Sequence, residues 1–143
     1  MPKNAKSITL VGRVLAHLPE GRDKAKRAFQ KALAIDPLTI DACCALADLH
    51  IAQGEVDACS ALLRGSLEHS AHDFLYAKLG ECHTHTGDYS AAMEAFHAAI
   101  SANPSSAAAA AGLERLEKLM RGMDPDLGEG EEEGDDDDGA MEA

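Results

Sequence analysis

Four cysteines and seven histidines are the residues of this chain best suited to hold a metal or attack a substrate. The densest group is Cys82-His83-Thr84-His85, with His50 and the thiols of Cys43, Cys44 and Cys59 elsewhere in the sequence. A structural zinc site needs four convergent ligands, usually supplied in pairs such as Cys-x2-Cys, and no such pair occurs. Cys43 and Cys59 fall instead where one helix is expected to face another, and there a thiol is simply a small apolar side chain. His83 is expected to replace a core aromatic. No nucleophile motif, phosphate loop or dinucleotide fingerprint is present. Gly128-Glu129-Gly130 sits among carboxylates that would repel a phosphate. The expectation is a chain with no metal, no cofactor and no catalytic residues.

Charge narrows the partners. The net charge of −12 is uneven: 11 acids and no bases lie between Asp124 and Ala143, leaving 14 acids against 13 bases before them. With so little apolar surface to offset the entropy of ordering it, residues 124–143 are expected to form a disordered acidic tail. One basic cluster exists (Arg22, Lys24, Lys26, Arg27, Lys31), but no aromatic residues alternate with it, so it reads as a solvated helix face. Neither a nucleic acid nor a membrane is an expected partner. The longest run of small apolar residues, Ala107 to Ala111, is far short of the roughly 20 a membrane helix needs. The start, Met1-Pro2-Lys3-Asn4, opens no signal-like apolar segment, and the thiols are expected to be reduced, in cytosol or nucleus.

The elements that position these residues emerge from self-similarity. Ala25-x3-Phe29-x2-Ala32, followed by Asp36-Pro37, recurs 67 residues later as Ala92-x3-Phe96-x2-Ala99 and Asn103-Pro104. Sixty-seven is 34 plus 33, and a worn copy, Cys59-x3-Leu63-x2-Ser66, lies between them, with Ala71 in the proline's place. Gly54 and Gly87 mark matching turns. In the third copy the pattern extends upstream: Tyr76-x2-Leu79-Gly80-x2-His83, then Gly87-Asp88-Tyr89. This order resembles the tetratricopeptide repeat, with Tyr76 in the usual Trp slot and His83 in the second aromatic slot.

That resemblance implies pairs of antiparallel helices, in which small residues let backbones approach and large ones fill the gaps. Aromatics at only 3%, with no Trp, leave Ala and Leu to fill the core, which also favours an all-α class. The expected fold is a right-handed α-α superhelix of three helical hairpins plus a C-terminal capping helix. Helices are predicted at 5–17, 22–35, 39–53, 56–68, 73–86, 89–102 and 106–121. The units are residues 1–38, 39–72 (degenerate), 73–105, the capping helix 106–123 and the tail 124–143. Gly65 inside a predicted helix should cost about 1 kcal/mol relative to Ala, with close packing beside Ser66 as its expected reason. On the capping helix Leu113, Leu116 and Met120 are expected on the apolar stripe, with Glu114, Arg115 and Lys118 facing water.

In a solenoid of this kind the first helix of each hairpin lines a concave groove. The candidate partner-binding residues are Asp41, Cys44 and Asp48 from the second unit, with Lys78, Glu81 and His85 from the third. Clamp-type members of the family hold the acidic C-termini of chaperones with Lys, Arg and Asn at such places. Here the groove is mostly acidic, so a co-chaperone or free-standing adaptor is the disfavoured alternative.

The order of finer features resembles the C-terminal part of the subunit 7 family of the anaphase-promoting complex. It comprises Lys24-Ala25-Lys26 and Lys31-Ala32-Leu33 before Pro37, Ala61-Leu62-Leu63-Arg64, Leu79-Gly80, Tyr89-x2-Ala92-Met93, then Leu113-Glu114-Arg115-Leu116-Glu117-Lys118 and an acidic end. The resemblance implies a non-catalytic, architectural role in a multi-subunit ubiquitin ligase of the cell cycle, in nucleus and cytosol. The implied partners are other repeat-containing subunits, and a second copy of itself. Finally, Ile8, Leu10, Val11, Val14, Leu15 and Leu18 span about 160° of a helical wheel at roughly 100° per residue, more than one partner helix covers. Leu10 and Val14 are therefore expected on an N-terminal stacking face, and the chain is expected to behave as a piece of a longer array.

Overall fold

The computed structural model of the chain describes residues 4–122, which form seven α-helices. They are α1 (Ala5–Ala16), α2 (Arg22–Ile35), α3 (Ile40–Ala52), α4 (Val56–Leu67), α5 (Asp73–Thr86), α6 (Tyr89–Ala102) and α7 (Ala107–Met120). The expected acidic tail at 124–143 lies outside the described residues.

Local chemistry accounts for most helix ends. The side chains of Asn4, Asp88 and Ser106 accept from the backbone N–H groups of Lys6, Ala91 and Ala109, at 2.8, 3.2 and 3.2 Å. Each thereby satisfies a donor that the first helical turn leaves orphaned. His72 does the same for Phe74 through Nδ1, at 3.2 Å. The stops of α2 and α6 are near copies. Asp36 (φ −144°, ψ 100°) and Asn103 (φ −149°, ψ 99°) are both held extended, as the ring of a following proline requires. Each also accepts from a backbone N–H two residues on, Leu38 and Ser105. Gly54 and Gly87, at φ +75° and +83°, turn the second and third hairpins in the left-handed region that side chains avoid. The first hairpin turns through residues 17–21, a longer connection than the other two, as the Leu18-Pro19-Glu20-Gly21 stretch predicts.

Each helix packs on the next, and α1–α3, α3–α5 and α5–α7 touch as well, so the first helices of the hairpins form one continuous inner layer. The repeat positions are the core. Ala25, Phe29 and Ala32, then Cys59, Leu63 and Ser66, then Ala92, Phe96 and Ala99 are all buried. The Phe96 ring lies against the glycine backbones of both α5 and α7: a β-carbon on Gly80 would fall 2.6 Å from its Cε1, and one on Gly112 closer still. Phe29 meets Gly12 of α1 in the same way. This all-α helical repeat is what the 33–34-residue spacing predicts.

Three expectations need correction. A β-carbon on Gly65 would meet nothing within 4 Å, so close packing does not require that glycine. Ser66 beside it does sit in a tight slot, with Oγ 3.0 Å from Cys43 Sγ. On α7, Lys118 is buried and Met120 is 51% exposed, the reverse of the predicted faces. A lysine can lie along apolar surface on its methylenes, which a binary polar/apolar pattern does not register. His83 is half-buried, not a core residue, with Nε2 3.4 Å from Arg64 Nη2. An imidazole keeps a polar partner where a phenyl ring would sink into the core.

Candidate functional site

The inner layer carries a concavity of about 390 Å³ that spans four helices. Arg13 comes from α1; Asp41, Cys44, Ala45 and Asp48 from α3; Phe74, Ala77, Lys78 and Glu81 from α5; and Ala108 from α7. Asp41, Cys44 and Asp48 follow an i, i+3, i+7 spacing, which aligns them on one helix face. Phe74, Ala77 and Glu81 are the residues 33 positions later, so the repeat itself places the two rows side by side.

Five of the six expected groove residues thus meet: Asp41, Cys44, Asp48, Lys78 and Glu81. His85 does not join them; it is exposed near the end of α5, outside the lining. Sequence reasoning missed Phe74, which is 49% exposed in the groove although it is one of only three phenylalanines. The signal was available, because Phe74 occupies the repeat position of Asp41.

Lys78 anchors the electrostatics. Its Nζ lies 2.7 Å from Asp48 Oδ1 and 3.5 Å from Glu81 Oε2. Burial alone would lower its pKa, but hydrogen bonding to Asp48 and the nearby charges of Glu81 and Asp48 outweigh this and raise it. The Cys44 thiol is pushed up to about 12, first by burial and then by Cys43, with Lys78 opposing and Asp48 and Asp41 adding to the rise. Burial likewise raises Cys43, Cys59 and Cys82, Cys59 to about 12. Thiols held in their protonated form are poor nucleophiles and poor metal ligands. Among the described residues no group of three or more His, Cys, Asp or Glu could hold a metal ion. Nor is any described helix long and apolar enough to cross a membrane.

The expected stacking residues are both on the surface of α1. Leu10 is 60% and Val14 63% exposed, with Val11 at 55% and Leu18 at 50% beside them. Ile8 and Leu15, by contrast, pack against the core formed by Phe29 and Leu46.

Comparison with known proteins bears on what this surface belongs to. Two family models, each described as tetratricopeptide repeat, match residues 22–82 and 75–106. Anaphase-promoting complex subunit 7 from Arabidopsis thaliana is 40% identical over 126 residues, covering 88% of this chain and 23% of that protein. The subunit of the same name from Dictyostelium discoideum is 32% identical over 87% of this chain and 22% of its own length. The Homo sapiens subunit is 30% identical over 80% and 20%. The chain therefore spans about a fifth of the length of the curated relatives it matches. Among solved structures, the Sgt2 tetratricopeptide domain from Aspergillus fumigatus superposes with a TM-score of 0.71 at 21% identity, over 82% of this chain and 79% of that one. The first tetratricopeptide domain of Spaghetti (RPAP3), bound to the HSP90 peptide SRMEEVD, gives 0.68 at 12% identity, over 82% and 94%. These structures share the fold. The chain belongs to the tetratricopeptide repeat family, and over 80–88% of its length it is similar to anaphase-promoting complex subunit 7.

Proposed function

We propose that the chain is a non-catalytic protein-interaction scaffold of the anaphase-promoting complex, a ubiquitin ligase of the cell cycle, working in nucleus and cytosol. Its groove holds a segment of another subunit, and its α1 face stacks on a further helical repeat. The observation that carries this reading is the four-helix groove with Phe74 half-exposed in its lining. An aromatic side chain in a concave lining, with charged groups placed around it, has the make-up of an anchor for a partner segment. The subunit 7 relatives supply the complex. The exposed row Leu10, Val11, Val14 and Leu18 supports the stacking role, because a solenoid end facing water is normally polar.

A chaperone adaptor fits less well. RPAP3 holds an acidic chaperone peptide on this fold, whereas here Asp41, Asp48 and Glu81 line the groove and Lys78 is already paired. The test is affinity capture of the tagged chain from a lysate, with mass spectrometry of what copurifies. Recovery of ubiquitin-ligase subunits, reduced for Phe74→Ala, is the expected result. Recovery of chaperones instead, or of ligase subunits in none of the captures, would refute the proposal.

A further inference from the structure

We infer that the groove takes a basic segment of a partner protein, with Lys or Arg side chains meeting Asp41 and Asp48 and an apolar side chain seated on Phe74. The inference rests on the scaffold reading and specifies the chemistry of its partner.

Charge and its pairing decide the sign. Three carboxylates (Asp41, Asp48, Glu81) and two cations (Arg13, Lys78) line the concavity. Lys78 is shared by Asp48 and Glu81, and Asp41 forms no ion pair among the described residues. An ionised carboxylate can accept about four hydrogen bonds, so Asp48 and Glu81, with side chains 55% and 43% exposed, keep sites open to an incoming donor. Arg13, at the α1 edge, also lines the groove and forms no ion pair among the described residues. A partner carboxylate placed here would meet like charge, and repulsion of that kind excludes wrong partners more effectively than it weakens right ones.

Geometry supplies the rest. Asp41 and Asp48 are two helical turns apart, about 10 Å along α3, a distance that two basic side chains on one segment can match. Ala45, Ala77 and Ala108 keep the lining low, so Phe74 stands as the apolar anchor. Asp41 also borders a second concavity of about 510 Å³, lined by Leu38 and Ile35, which are 54% and 43% exposed. A bound segment therefore has apolar contacts available on both sides of the acidic patch.

The experiment is selection of a random 16-residue peptide library displayed on phage against the whole chain, its Asp41→Lys variant and its Phe74→Ala variant. Both substitutions are at exposed positions, and thermal melts of the two variants establish that they fold. Selected peptides should be enriched in Lys and Arg interleaved with Leu, Ile or aromatic residues. Retention of those peptides should fall about tenfold or more on each variant, and more steeply at higher salt. Enrichment of acidic peptides, or peptides retained equally by all three chains, would overturn the inference. So would a selection that yields no consensus. Affinity capture run in parallel separates the two claims: ligase subunits captured without basic-peptide selection leave the scaffold standing and remove this partner chemistry.

Discussion

Phe96 and the two glycines that face it make a severe test of the packing. The ring is buried between α5 and α7 where Gly80 and Gly112 expose bare backbone. In an open helix position, replacing Gly with Ala gains up to about 1 kcal/mol through backbone entropy. At Gly80 the added β-carbon would sit 2.6 Å from Phe96 Cε1, a separation that real β-carbons do not occupy, so ring or helix must shift. Overpacking of that kind costs about 1–3 kcal/mol, which cancels or exceeds the propensity gain. Gly65→Ala is the internal control, since its β-carbon would meet nothing; it should stabilise by about 0.5–1 kcal/mol. The propensity gain is common to both sites, so Gly80→Ala should lie about 1–3 kcal/mol below Gly65→Ala, the cost of the overpacking alone. Phe96→Ala alone should cost about 3–5 kcal/mol. In the Phe96→Ala background the clash is gone, so Gly80→Ala should turn from unfavourable to favourable, a coupling of about 1–3 kcal/mol. Urea unfolding followed by circular dichroism at 222 nm reads all four variants. Equal stabilisation by Gly80→Ala and Gly65→Ala would refute the proposed contact between ring and backbone.

Three further outcomes follow from the same structure. Glu55 Oε1 lies 2.8 Å from His50 Nδ1 and 2.9 Å from Lys26 Nζ, and the hydrogen bonds from His50 and then Lys26 hold its carboxyl below the usual value. A depressed carboxyl stabilises above its unfolded pKa and loses that contribution as pH falls through its folded one. Glu55→Gln should thus lower the melting temperature by no more than about 4 °C near pH 7, and the difference should vanish in acid. Thiol titration of the denatured, unreduced chain should count all four cysteines. In the native chain near pH 8, Cys44 should react first, being only half-buried, yet still about 10²–10³-fold slower than a free thiol. Replacing Leu10 and Val14 together by Lys should reduce hydrophobic-dye binding and self-association in sedimentation while moving the melting temperature by less than about 5 °C, because both side chains are mostly exposed. A dye-silent monomer before the change would count against the stacking role of α1.

Much of this protein is local, and what is local was legible in the residues. Proline at 37 and 104 forces the residue before it to be extended, whatever the rest of the chain does. The Ala25-Phe29-Ala32 triplet and its two copies must be small, large and small wherever two helices cross, so repetition alone identified nine buried positions. The groove rows on α3 and α5 were readable for the same reason, since a residue's face on a helix is set by its number modulo the repeat. Tertiary structure decided whatever depends on which neighbour arrives. Gly65 and Gly80 are alike in sequence, but one faces open space and the other an aromatic ring. Lys118 and Met120 exchanged their expected environments, Lys118 buried and Met120 exposed, because the way α7 seats on α5 and α6 is not written in its own sequence. His85 was placed in the groove by its spacing and left outside it where the concavity ends. Periodicity states the direction in which a side chain points; only the packing of separate helices determines whether anything is there to meet it.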